Sequence, residues 1–131
     1  MKGISNQIDG DFLHKDITRA IIGSAFEVHR HLGYGFLERV YQRAMQVELH
    51  QRNLQTVLQH PIQVRYKGAA VGDYVADLFV EGKVIVELKV APAYCQSDEA
   101  QLINELVSTG VTVGLLINFG RERVEFKRLV H

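Results

Sequence analysis

The chain has 131 residues, enough for one domain, and is 47% hydrophobic and 23% charged, so it can bury a core and is not disordered as its main state. Lys plus Arg equals Asp plus Glu at 15 each, which excludes a strongly basic nucleic-acid coat but not a local basic groove beside an acidic site. Apolar runs stop well short of the ~18 residues a membrane span needs. The first fifteen residues hold no apolar run, so no secretory signal is expected. The single cysteine, Cys95, can form no internal disulfide. Together these points predict a cytoplasmic protein.

Residues 1–15 lack periodicity and read as an N-terminal tail, leaving 16–131 as a single domain. From Asp16, a plausible N-cap, the stripe Ile17, Ile21, Ser24, Ala25, Val28 and Leu32 predicts a helix closed at Gly33. A second helix is expected over 37–52. Its buried side and edge are Leu37, Val40, Tyr41, Ala44, Val47 and Glu48, and Asn53 is its stop. The period then becomes two: Ile62, Val64 and Tyr66 alternate with polar residues, with Pro61 at the strand start. Residues 68–72 read as a turn, and 74–80 and 83–90 as strands joined at Glu81-Gly82. The second of these is the most apolar and is expected to be central. A helix over 98–109 capped by Gly110, a buried strand over 111–118 and an edge strand over 123–130 complete the order α-α-β-β-β-α-β-β. The fold class is a mixed α/β (α+β) arrangement, a mixed sheet flanked by helices.

The informative stretch is Asp77 with Glu87-Leu88-Lys89. Glu87 and Lys89 are two apart on a strand and share a face with Ile85. A two-residue loop at Glu81-Gly82 would put Asp77 on the other face. A three-residue loop, 80–82, pairs Phe79 with Lys83 and gives Gly82 the left-handed position of a bulged turn. Asp77 then stands diagonal to Glu87, and two carboxylates and an ammonium converge. Such a patch suits a hard divalent cation: Mg²⁺, with Mn²⁺ as a substitute, binds through one or two carboxylates and keeps waters. The backbone carbonyl of Leu88 is a further candidate ligand. Lys89 is placed to orient a water or to offset developing negative charge. The other reading of Glu-x-Lys is a solvated ion pair worth ~0–1 kcal/mol.

A second constellation is Gly35-x-x-Glu38-x-x-Tyr41. Glu38 and Tyr41 are three apart on a helix and face the same way. Glu38 either complements the helix N-terminus or reaches the carboxylate patch. Gln101, Asn104, Glu105 and Ser108 form a polar helical face, which is either solvated or turns Gln101 toward the patch. Arg39 and Arg43 are placed to meet a phosphate backbone, as are Arg121, Arg123, Lys127 and Arg128. His29 and His31 sit about 200° apart around their helix and cannot share a metal.

In this order and spacing, Gly35-x-x-Glu38-x-x-Tyr41, Asp77 and Glu87-Leu88-Lys89 resemble the GxxExxY proteins of the PD-(D/E)XK nuclease-like superfamily. The resemblance runs from Ile17 to Val130 and includes Glu99-Ala100-Gln101 and Gly114-Leu115-Leu116-Ile117-Asn118-Phe119. It implies a restriction-endonuclease-like core and hydrolysis of phosphodiesters in DNA or RNA. It also implies that Asp77, Glu87 and Lys89 are the metal-binding and catalytic triad, with Glu38 as an extra helix-borne acid and Gln101 as the glutamine after the core strands. The chain departs from that pattern at three positions. Ala76 stands where proline is common, Asp98 where histidine is, and Glu105 where tyrosine is; the last two add negative charge that repels phosphate. The leading expectation is therefore a Mg²⁺-dependent nuclease that grips nucleic acid weakly alone, as a homodimer or with a partner. The alternative is a non-cleaving module that binds nucleic acid or protein. No membrane association is expected.

Overall fold

The computed structural model describes residues 13–93 and 95–131. The expected tail therefore lies outside the described residues except for its last three positions. Helices α1 (Lys15–Leu32) and α2 (Glu38–Gln51) are followed by strands β1 (Thr56–Tyr66), β2 (Ala69–Val80) and β3 (Val84–Lys89). Helix α3 (Gln96–Thr109) and strands β4 (Val113–Asn118) and β5 (Glu125–Val130) follow. The five strands form one sheet in the order β1-β2-β3-β4-β5. Only β3 and β4 run parallel, because α3 carries the chain back across the sheet between them. This is the restriction-endonuclease-like arrangement, with β3 central and β5 at an edge.

Alternation along β3 sorts two cores. Val84, Val86 and Leu88 face α1 and α2, where they pack with Ile21, Ala25, Met45 and Leu49. Ile85 faces α3, where it packs with Leu102 and Leu106. Leu116 of β4 belongs to that second, smaller cluster. No helix among the described residues is long and apolar enough to cross a membrane.

Several local expectations are corrected. Asp16 lies in the first turn of α1 and His14 occupies the N-cap, without a side-chain cap bond. Leu37 and Val47, expected on the buried side of the second helix, are exposed. Strand β1 begins at Thr56, so Pro61 sits inside it, opposite Val75, where an edge strand tolerates the missing N–H. Residues 69–72, expected in a turn, already belong to β2.

The β2–β3 loop is one step from the expected register. Val80 pairs with Val84 and Leu78 with Val86, so the loop is Glu81, Gly82 and Lys83. Both Glu81 (φ 55°) and Gly82 (φ 62°) are left-handed, and the Lys83 N–H closes on Val80 O at 3.0 Å. Glu81 holds this conformation because it is pinned to the start of β1: its N–H donates to Gln55 O (2.8 Å) and its Oε2 accepts from Gln55 N–H (2.7 Å). The parity of the hairpin is unchanged, and the ladder stops at Leu78 and Val86, one residue short of Asp77 and Glu87.

Candidate active site

The β2–β3 ladder ends at Leu78 and Val86, and the two strands part at Asp77 and Glu87. Side chains replace the missing ladder bonds. The Asp77 N–H donates to Glu87 Oε1 (3.2 Å), and the Leu88 N–H donates to Asp77 Oδ2 (2.7 Å). The alternation of β2 also breaks here: Ala76 packs in the α3-side core, although Leu78, two residues on, packs in the α1–α2 core. Gln59, across from Asp77 in β1, has φ 52°. Asp77 thus stands at the irregular end of the ladder, where it takes hydrogen bonds from both α2 and β3.

Each layer sends residues into that gap. From α2, Gln42 Nε2 donates to Asp77 Oδ1 (3.1 Å), and Glu38, one turn earlier, lies within hydrogen-bonding reach of the same carboxyl. From α3, the Glu105 side chain reaches Glu87, and Gln101 Nε2 donates to Glu105 Oε2 (3.2 Å). Lys89 is half-buried and pairs with Asp98 Oδ1 at 3.6 Å. Leu88 O points to the β2 side, since alternate peptide groups face opposite ways and Lys89 O accepts from Phe119 N–H on the β4 side.

Acid crowds acid. Glu87 is 5% exposed and Glu105 1%. Glu87 is pushed up to about 10, first by burial and then by the Asp77 carboxylate and by Glu105. Burial also raises Glu105. Glu38 is raised to about 7 by desolvation, then by Asp77, while Lys89 pulls it back. Burial and the neighbouring acids thus favour the protonated form of Glu87.

The remaining sequence candidates divide clearly. Tyr41 does not enter the gap: it is fully buried, donates to Gly33 O (2.6 Å), accepts from Phe36 N–H (3.5 Å) and stacks on Phe119 at 4.6 Å. Its place is to clamp the α1–α2 turn, where Gly35 has φ 110°. Arg39 and Arg43 are exposed on α2. Lys127 pairs with Glu99 (2.9 Å) and Arg128 donates to Leu13 O (2.6 Å), so both serve packing. His29 ties α1 to the β4–β5 loop through Arg121 O (2.8 Å).

Sequence reading missed Gln42 and Glu105 as members of the cluster. Gln42 carried a signal, since it lies four residues after Glu38 and so on the same helix face. Glu105 lies four after Gln101 in the same way, but its charge pointed to repulsion of substrate instead of burial beside Glu87.

Residues 15–129 match the family model described as the PD-(D/E)XK nuclease superfamily, and the chain belongs to that superfamily. The fold is also similar to that in "Crystal structure of SSO0001", with a TM-score of 0.56 and 14% identity. That match covers 71% of this chain and 49% of the other, so the chain spans about half the length of that relative. No curated protein matches the sequence.

Proposed function

We propose that the protein is a divalent-metal-dependent nuclease, with Mg²⁺ as the natural ion and Mn²⁺ as a substitute. The carrying observation is the convergence of Asp77, Glu87, Glu38 and Glu105 from two strands and two helices around one gap. Among the described residues no three of the His, Cys, Asp and Glu side chains form a ready-made metal-ligand set. The donors nevertheless fit Mg²⁺, which takes one or two protein carboxylates and keeps its waters. A buried Glu105 Oε1 without a hydrogen-bond partner among the described residues is the sign of missing positive charge.

Asp77 and Glu87 are the direct ligands in this reading, with Leu88 O on the same side of β3. A bound divalent ion there lowers the pKa of a coordinated water and offsets charge on the phosphoryl oxygens. Glu38 accepts or relays a proton at the rim. Lys89, released from Asp98, is the cation that orients the attacking water or stabilises the developing oxyanion. Gln42 and Gln101 hold the carboxylates in place. An open groove of about 700 Å³, outside the acid cluster itself, is lined by Tyr34, Arg121 and Arg123 together with Glu122 and Glu125. Arg39 and Arg43, exposed on α2 beside Glu38, are the proposed phosphate contacts for a nucleic-acid strand. The Gly35-x-x-Glu38-x-x-Tyr41 pattern supports placing the chain with the GxxExxY proteins.

The test is cleavage of single- and double-stranded DNA and RNA with Mg²⁺ or Mn²⁺. Glu87→Gln should abolish activity, and Lys89→Ala should lower it by about 10²-fold or more while the fold persists. Equal activity in wild type and Glu87→Gln would overturn the nuclease reading in favour of a binding module.

A further inference from the structure

We propose that Glu105 is an additional acid of the cation site, contributed by α3, and that its Oε1 ligates the divalent ion directly or through one water. The inference rests on the metal-dependent reading above and extends it to a residue outside the Asp77, Glu87 and Lys89 triad.

Glu105 sits between Leu102 and Leu106 on the buried stripe of α3 and is 1% exposed. An apolar side chain there would simply extend the core. A carboxyl at that depth costs free energy unless both oxygens are satisfied. One is: Oε2 accepts from Gln101 Nε2. The other is not: Oε1 is buried with no hydrogen-bond partner among the described residues. The Glu105 side chain lies beside Glu87, with Asp77 and Lys89 nearby. A structural buried acid is met by backbone N–H groups or an arginine. Glu105 instead keeps an unpartnered buried oxygen beside the Glu87 carboxyl, a lack that a hard cation would satisfy. The Gln101–Glu105 bond, one helical turn in length, fixes that direction.

The experiment is calorimetric titration of Mn²⁺ into wild type, Glu105→Gln and Glu105→Met, with thermal melting of each metal-free protein. Glutamine keeps the shape and the capacity to hydrogen-bond with Glu87, so it preserves any role limited to positioning Glu87. The expected result is Mn²⁺ affinity weakened by about 10-fold or more in both variants. Metal-free melting temperatures should be unchanged or higher, because a buried charge site has been removed. Unchanged Mn²⁺ affinity in Glu105→Gln would overturn this inference and leave the nuclease reading standing. No Mn²⁺ binding by wild type would overturn both. Loss of folding in both variants would also overturn it, by making Glu105 a structural acid.

Discussion

The two faces of β3 do opposite things with the same depth of burial. On the face toward α1 and α2, Val84, Val86 and Leu88 are fully buried among aliphatic side chains. On the face toward α3, Ile85 is followed by Glu87, which is nearly as buried but sits against other acids. The first face spends its burial on hydrophobic stabilisation. The second gives some of that up to hold a cluster of carboxylates poised for a cation. Stability and chemistry are thus separated by the period of two of a single strand.

That division can be broken or sharpened by substitution. The largest effect belongs to the apolar side of the sheet: Leu115→Ala, on β4 beside Val86 and fully buried in the larger core, should destabilise by about 2–5 kcal/mol in chemical denaturation. A loss under 1 kcal/mol would mean that face is not the stabilising one. Next comes the hairpin that sets the register. Gly82→Val should cost about 1 kcal/mol or more, because φ 62° suits a β-branched residue poorly. If it were neutral, the left-handed turn would not be what aligns Asp77 with Glu87. Smallest is Tyr41→Phe, which removes the bond to Gly33 O and should cost about 0.5–1.5 kcal/mol. Its Mn²⁺ affinity should not change; a large loss would bring Tyr41 back into the site.

The element order and the central place of β3 were legible because hydrophobic period and turn residues agree there. The GxxExxY pattern was legible as a unit, yet its members divide their labour. Gly35 supplies a turn, Glu38 enters the acid cluster, and Tyr41 locks the turn from inside the core. Spacing alone put Glu38 and Tyr41 on one face and could not separate these tasks. The hairpin parity was readable, but the register was not, because it depends on Glu81 being tied to Gln55, a contact distant in sequence. Glu105 was invisible as a site residue for a related reason. Its burial follows from how α3 seats on β3, where Leu102 and Leu106 flank it.

The central claim, that the acid cluster is destabilising until a cation joins it, is tested most directly by thermal unfolding across pH with and without Mg²⁺. Glu87 (about 10) and Glu38 (about 7) both sit above the ordinary carboxylate value in the folded state. The folded chain therefore binds more protons than the unfolded chain over that window, and stability must fall as pH rises. The metal-free melting temperature should drop from about pH 5.5 to about pH 8.5, and the drop should be shallower in Glu87→Gln, measured alongside so that other titrating groups cancel. Mg²⁺ should restore the wild type at the higher pH and do little at the lower one, where protons compete. A wild-type profile parallel to that of Glu87→Gln, with no Mg²⁺ effect at either pH, would contradict the account.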